Sequence, residues 1–420
     1  MRDRIKVGYV GLGRRGFGML NACFGEMRDV EIAALCDIDE GKMEKARDML
    51  VEKGRAVPAL YTDYSAMLRH PELDAVIIMT GWGQRVKYAI EAMRAGKYTA
   101  IEVGCAYDIS ECYDLVAAYE ETGVPVMMLE NCCYGRREMM ALRMVEEGVF
   151  GEIVQCCGGY RHYLNEEDLV KRNADGTLDT NHYRLIEYLH RNCEQYPTHE
   201  LGPISKVLRI NRGNRMVSLQ SFATKSVGLE HFMREKAPDH PWAGKKFVQS
   251  DIVTTVITCA GGEQIILTLD TTLPRPFYSR DFTVRGTKGM CMESGGGHVT
   301  YYLEGMPEPT FDNEKEFFEK YDHPLHVEYA SQERGGHGGM DWLVSRAFVE
   351  SVKAGTQTPI DVYDTAAWLA IAPLSEASIA CGQSVAFPDF TGGKWFRREP
   401  ALEGKYSLDR VVSDPETPIF

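Results

Sequence analysis

No stretch of this chain approaches the about eighteen consecutive apolar residues needed to cross a bilayer as a helix, so a membrane is not an expected partner. Positive charge is also short. With 47 Lys and Arg against 61 Asp and Glu, a formal net charge of −14, there is no basic excess for nucleic acid or an anionic lipid surface, and neutral small molecules are the natural ligands. Cysteine is sparse, twelve in 420 residues, with no C-x-x-C and no Cys/His spacing of a zinc site, so no metal is expected. The adjacent pairs Cys132-Cys133 and Cys156-Cys157 are poorly placed to bridge each other, and the thiols read as reduced and mostly buried. Internal repeats and low-complexity tracts are missing as well. The first strand opens at Ile5, which leaves no space for a signal peptide, and a cytoplasmic location is expected.

What is present starts at once. The apolar run from Ile5 to Val10 flows into Gly11-Leu12-Gly13-Arg14-Arg15-Gly16, a G-x-G-x-x-G turn. Gly11 permits the tight turn, Gly13 lets the backbone approach a pyrophosphate, and Gly16 allows the next helix to press on the strand, its N-terminal amides facing the anion. A second apolar run, 31–36, ends in Asp37 about twenty residues past the last glycine, where an acid accepts from an adenosine ribose hydroxyl and disfavours a 2′-phosphate. The expected cofactor is therefore NAD rather than NADP.

Alternation continues from there. Asp39 is expected to cap a helix through 53, and a short strand follows at 59–61, then a brief helix at 65–69. The run 75–80 is apolar throughout, as in a strand buried on both faces of a parallel sheet. A helix over 84–95, a strand over 98–102, a helix opened by a capping box of Asp108 and Glu111, and a strand over 125–129 complete six strands of a doubly wound domain, 1–129. Ligands of such sheets lie off the carboxyl ends of the strands. The positions expected to meet the cofactor are thus Gly11, Gly13, Arg14, Arg15, Gly16, Asp37, Thr80, Trp82, Glu102 and Asn131.

Residues 130–420 behave differently. A helix over 137–147 leads into a strand over 152–160, and 164–195 reads as a long polar loop of the lid or binding kind. Strand-like runs at 216–224, 252–259, 264–270, 282–284 and 299–303 are separated mostly by turns, so this half is expected to be an α+β domain with a large, mostly antiparallel sheet. Helices over 340–354 and 362–380 precede a tail rich in Pro, Gly and Asp that packs back on the first domain. The exposed face of such a sheet commonly becomes a subunit interface, and a homo-oligomer is expected. The glycine clusters around His298 and His337 read as flexible turns.

The amino-terminal half resembles the glucose-fructose oxidoreductase and inositol dehydrogenase (Gfo/Idh/MocA) superfamily. Ordinary dehydrogenases of that group carry Glu-Lys-Pro after the fifth strand, the lysine assisting proton transfer, and Val103 stands in its place here. The blocks LENCCYG from Leu129, GVFGEI from Gly148, HRN from His190, YPTH ending at His199, LGP from Leu201, RPFYSR from Arg275, GGMDW from Gly338, DVYD from Asp361 and PDF from Pro388 are similar to the NAD-dependent α-N-acetylgalactosaminidases of glycoside hydrolase family 109.

That resemblance implies a hydrolysis in which the sugar C3 hydroxyl is oxidised to a ketone, the acidified C2 proton is removed, the C1 aglycone leaves by elimination, water adds to the enone, and C3 is reduced again. NAD-dependent glycosidases need no pair of catalytic carboxylates. Carried over position by position, the resemblance puts Glu130, Tyr160, Arg184, Tyr196, His199 and Tyr278 around a small glycoside. His199 is expected to be the acid/base at the C3 hydroxyl, and Tyr160 the C2 base, its phenol acidified by a cation or the oxidised nicotinamide. Glu130, Arg184, Tyr196 and Tyr278 are expected to fix sugar hydroxyls or an N-acetyl group, with Thr198 capping the helix that presents His199.

Three places depart from the family pattern. Glu-Val-Pro becomes Glu102-Val103-Gly104, the proline-tryptophan and later histidine after the fourth strand become Gly81, Trp82 and Arg85, and the glycine after YPTH becomes Glu200. A carboxylate beside His199 either tunes the imidazole or reshapes the pocket for another hexoside. Two rival readings remain: a sugar or cyclitol 3-dehydrogenase, which accumulates NADH, and a non-catalytic NAD-binding regulator.

Overall fold

The computed structural model describes residues 3–172, 176–178, 182–308, 311–399, 404–413, 417 and 419. Parts of the expected loop 164–195 and of the expected tail lie outside the described residues. The chain forms two compact units, neither of them contiguous: Met1–Glu146 with Asp322–Leu369 and Arg397–Phe420, and Glu147–Tyr321 with Ala370–Phe396. The sequence places the border after 129 and expects the tail to pack back on the first domain. Residues 130–146 and 322–369 belong to the first unit instead of the second, and the segment from 397 onward joins the first unit as expected of the tail.

The first unit opens with β1 (Ile5–Val10), α1 (Arg14–Met19, running on as a π turn through Phe24), β2 (Val30–Cys36), α2 (Glu40–Glu52), β3 (Ala59–Tyr61), α3 (Tyr64–Leu68), β4 (Ala75–Ile78), α4 (Trp82–Arg94), β5 (Tyr98–Ile101), α5 (Ile109–Thr122), β6 (Val126–Met128) and α6 (Arg136–Glu146). The six strands pair in parallel in the order β3-β2-β1-β4-β5-β6, with the switch point between β1 and β4. Every residue of β4 is buried, as its unbroken apolar run requires. Asp39 and Asp63 cap α2 and α3, and the expected capping box of Asp108 with Glu111 opens α5.

The second unit begins with β7 (Ile153–Arg161), α7 (Tyr183–His190), α8 (Thr198–Val207), β8 (Met216–Ala223), α9 (Gly228–Lys236), β9 (Ile252–Cys259), β10 (Gln264–Asp270), β11 (Thr283–Gly286), β12 (Gly289–Gly295), β13 (His298–Leu303) and α10 (Glu314–Tyr321). Its eight-stranded sheet runs β13-β12-β11-β7-β10-β9-β8, closed by a short strand described below. Within this sheet only β7 and β10 pair in parallel among the described strands. The glycines before His298 form a hairpin turn between β12 and β13, Gly296 and Gly297 both at positive φ. Alternate residues of β9 and β10 are fully buried and half-buried, so one face of the sheet carries the core, with Tyr160, Leu185, Tyr188, Leu229, Val253 and Leu269 in one cluster.

The chain then returns to the first unit as α11 (Pro324–Tyr329), α12 (Met340–Ala354) and α13 (Val362–Leu369), and to the second as α14 (Ile371–Cys381) and β14 (Val385–Ala386), which pairs with β8. Buried Arg346 on α12 fastens this return by forking onto Asp29, Nη1 to Oδ1 at 2.6 Å, with Lys353 on the same carboxylate at 2.8 Å. The single helix expected over 362–380 is broken at Ala370, where the chain passes from one unit to the other. The expected loop 164–195 contains a π turn, Asn165–Leu169, and α7. Its apolar groups Leu185 and Tyr188 are buried on β-sheet partners far away in sequence, which no local pattern reveals.

Candidate functional site

In the first unit the glycine turn divides its labour as expected. Gly11 has φ +90°, and a Cβ there would stand 2.8 Å from the Met79 carbonyl carbon. A Cβ on Gly16 would collide with the carbonyl oxygen of Gly11, whereas one on Gly13 would meet no protein atom within 4 Å. The middle glycine thus faces open space at the start of α1, the feature a pyrophosphate requires. Arg14, exposed, and Arg15 are the first two residues of that helix. Asp37 closes β2, and its two oxygens accept from the backbone N–H of Leu12 at 2.6 Å and of Asp39 at 3.0 Å, tying the acid to the turn.

The turns after β4, β5 and β6 supply the rest. The buried Thr80 hydroxyl has no protein partner among the described residues, so it retains hydrogen-bonding capacity for a ligand. Trp82 starts α4, and buried Arg85 in the same helix donates to the carbonyl oxygens of Thr80 and Val103, joining two of these turns. Gly104 makes this possible, since a Cβ there would press 2.5 Å from Trp82 Cδ1. The departures at 85 and 104 are therefore one structural adjustment. Arg15 reaches Glu102 at 3.3 Å and forks onto Asp341, which also accepts from Asn131. An open glycine, a carboxylate at the end of β2 and a buried hydroxyl with no protein partner among the described residues together fit NAD.

Glu130, which caps the short 3₁₀ turn Asn131–Tyr134, accepts from the Cys132 N–H at 3.0 Å and belongs to this first unit. The other five expected sugar residues gather in the second. Around the Tyr160 ring stand Tyr196 at 4.5 Å between centroids, His199 at 5.7 Å and Tyr278 at 6.0 Å. Tyr196 and His199 meet edge to face at 5.0 Å, as their spacing implied. The guanidinium of buried Arg184, the second residue of α7, lies 4.5 Å from the Tyr196 ring and 5.4 Å from that of Tyr160.

Two details of the sequence reading need correction. Pro197, not Thr198, precedes α8, and the Thr198 hydroxyl is buried without a partner among the described residues. Proline preset for helical φ admits Thr198 into the helix itself. Tyr160 has its cation, yet burial outweighs Arg184 and holds the phenol above its ordinary value of 10. A second group touches the phenol: Tyr160 Oη and His162 Nδ1 are 3.0 Å apart, in hydrogen-bonding contact.

Sequence reasoning missed His162, Asp341 and His337. The imidazole of His337 is bonded through Nδ1 to Asp341 at 2.8 Å, on a loop where His337 itself has φ +52°. The glycines expected to be a flexible turn form a constrained turn, in which His337, Gly338 and Gly339 all have positive φ. A histidine framed by glycines just before a Met-Asp-Trp helix start was the available signal. Glu200, the departure after YPTH, is buried and pairs with Arg280 at 3.1 Å.

Comparison with known proteins gives the family and the fold. Residues 5–130 match the oxidoreductase family with an NAD-binding Rossmann fold, and residues 134–397 match the C-terminal domain of glycosyl hydrolase 109. An alpha-N-acetylgalactosaminidase of Tannerella forsythia is 41% identical over 95% of this chain and 88% of its own length. A glycosyl hydrolase family 109 protein of Stenotrophomonas maltophilia is 38% identical over 96% of this chain and 93% of its own. Among solved structures, an inositol dehydrogenase homologue from Azotobacter vinelandii, complexed with NADH and myo-inositol, shares the fold at a TM-score of 0.66 and 18% identity, over 92% of this chain and 98% of its own.

Proposed function

The chain belongs to glycosyl hydrolase family 109 and is an NAD-dependent glycoside hydrolase, and from that premise we propose that it cleaves small N-acetylgalactosaminide-like or related hexosides by transient oxidation at C3. The observation that carries the reading is the packing of Tyr160, Tyr196, His199 and Tyr278 about one another, with Arg184 stacked on two of them. Aromatic faces with hydroxyl, imidazole and guanidinium edges suit a sugar ring, whose apolar faces and polar rim differ in the same way.

What bound NAD supplies is reversible two-electron oxidation of the sugar C3, with no net consumption. Gly11, Gly13, Gly16, Asp37, Thr80, Trp82, Glu102 and Asn131 would hold it. His199 takes the C3 hydroxyl proton and later returns it. Once C3 is a ketone the C2 proton is acidic, and Tyr160 accepts it as its own phenolic proton passes to His162 Nδ1. The electron pair left at C2 expels the C1 aglycone, and water adds to the resulting enone at C1. Arg184, Tyr196 and Tyr278 hold hydroxyls or an N-acetyl group while this happens. Val103 has no proton to give where dehydrogenase relatives carry lysine, which supports the hydrolytic outcome over net oxidation.

The location and assembly follow as proposals. No helix among the described residues is long and apolar enough to cross a membrane, and all twelve cysteines are free, which suits the reducing cytoplasm. The half-buried residues Thr254, Val256, Ile266 and Thr268 on the outer face of β9 and β10 support a homo-oligomer. Light scattering at graded concentrations tests this, a monomer throughout being the contrary result.

The deciding experiment incubates the protein and NAD with aryl α- and β-glycosides in deuterated water. Aglycone release with deuterium at C2 of the product is expected. Release without label excludes the elimination route, and NADH formed in proportion to product marks a 3-dehydrogenase instead.

A further inference from the structure

Asp341 stands in the first turn of α12 with 3% of its surface exposed. Four donors meet its two oxygens. Oδ1 accepts from Arg15 Nη2 and Asn131 Nδ2, each at 2.8 Å, and Oδ2 from Arg15 Nη1 at 2.7 Å and His337 Nδ1 at 2.8 Å. A carboxylate has about four lone-pair sites, so these contacts saturate it. Gly336 leaves the necessary space, because a Cβ there would lie 2.7 Å from Oδ2.

The donors come from places with one thing in common. Arg15 sits in the glycine turn after β1, and Asn131 follows β6. Arg15 Nε also touches Glu102, after β5, at 3.3 Å. All three lie at the carboxyl ends of the parallel strands, where a doubly wound sheet takes its ligand. His337 completes the set from a loop whose positive φ persists only where surrounding contacts impose it. A carboxylate serving only to join α12 to the sheet would have no need to engage side chains at two ligand-end turns, one of them in contact with a third.

We infer that Asp341 is a positioning residue of the cofactor pocket: its carboxylate sets Arg15 and Asn131 in the geometry that receives NAD and, through the same two oxygens, fixes the tautomer of His337. The bidentate fork admits one orientation of the Arg15 guanidinium. It also commits the charge of Arg15 to an internal partner, so this arginine does not compete with Asp37 by attracting a 2′-phosphate. The inference rests on the NAD reading above.

The test measures the dissociation constant for NAD by calorimetry on the full-length protein and on D341N, D341E, R15M and the double variant R15M/D341N, each with its melting temperature without ligand. D341N turns an acceptor into a donor toward Arg15 and His337, and D341E keeps the charge but displaces it by a methylene. Both are expected to weaken NAD by about tenfold or more. Because Asp341 acts through Arg15, the double variant should bind no worse than about the weaker single one. A folded D341N or D341E that binds NAD within about twofold of the parent overturns the inference, as do losses that multiply in the double variant. Should D341N fail to fold, D341E and R15M decide alone. A purely structural Asp341 would lower the melting temperature and leave the affinity of the folded protein intact. Failure of the unmodified protein to bind NAD would instead remove the NAD reading itself.

Discussion

Glu200 and Arg280 form a buried ion pair, Oε1 to Nε 3.1 Å, with the Glu200 side chain wholly enclosed. Glu200 follows His199 on α8, and Arg280 lies two residues beyond Tyr278, so the pair fastens together the two segments that carry those rings. Gly158 on β7 leaves room for it, since a Cβ there would run into the Glu200 side chain.

Breaking this pair on one side should be costly. E200Q removes the negative charge facing the buried Arg280 guanidinium and is expected to destabilise the protein by about 3 kcal/mol, with a raised KM for glycosides as Tyr278 loosens. The double variant E200Q/R280M, which also removes the positive charge, should recover most of the stability. Urea denaturation of the parent and the two variants checks this, and equal loss in single and double variants would show that packing rather than charge pairing is at stake.

The glycine turn offers a clean separation of folding from binding. G13A adds a methyl where no protein atom lies within 4 Å, so folding should survive and NAD affinity should fall by about tenfold or more. G16A forces a methyl into the Gly11 carbonyl and should lower the melting temperature steeply. Differential scanning calorimetry with and without NAD measures both. In the parent protein, NAD at 100 times its dissociation constant should add about 2.7 kcal/mol.

Glu194, just ahead of Tyr196, is a destabilising group at neutral pH. Burial pushes its carboxyl up to about 8, the Tyr196 N–H at 3.2 Å opposing this only in part, and Oε2 has no partner among the described residues. Its folded value exceeds the ordinary 4.5, so its contribution to stability is present below 4.5 and lost as pH rises towards 8. The slope is at most about 1.4 kcal/mol per pH unit. E194Q should flatten the fall of melting temperature between these limits, and an unchanged slope would assign that fall to another group.

Arg184 should matter twice. It lowers the Tyr160 phenol against the larger effect of burial, so R184M is expected to raise that phenol further and move the rising limb of the pH–kcat profile to higher pH. Stacking on Tyr196 is also lost, and KM should rise by about tenfold or more. R184K keeps a charge without the planar face and should restore the pH profile better than KM.

The parallel sheet was legible because its signals are local: apolar runs of four to seven residues, glycines at fixed offsets, and the Asp108–Glu111 cap. Short helices were less so. α7 and α9, eight and nine residues long, owe their formation to burial of Leu185, Tyr188, Leu229 and Met233 against the second sheet. At the candidate site, residues within one block, Tyr196 and His199, could be paired by spacing alone. Asp341 and Arg15 are separated by 326 positions, and only the folded chain shows that they share a carboxylate.

The first unit is assembled from three stretches of chain, the second of which begins at Asp322. Arg346 and Asp341, which grip Asp29 and Arg15, are synthesised long after the six strands they brace. A nascent chain cut short at residue 321 would display the whole nucleotide-binding sheet yet lack the helix that locks it, so such a fragment should not be a self-sufficient cofactor-binding module. Ribosomal emergence and structural completion of this unit are thereby separated, and closing so long a loop puts its folding in the slow, high-contact-order regime.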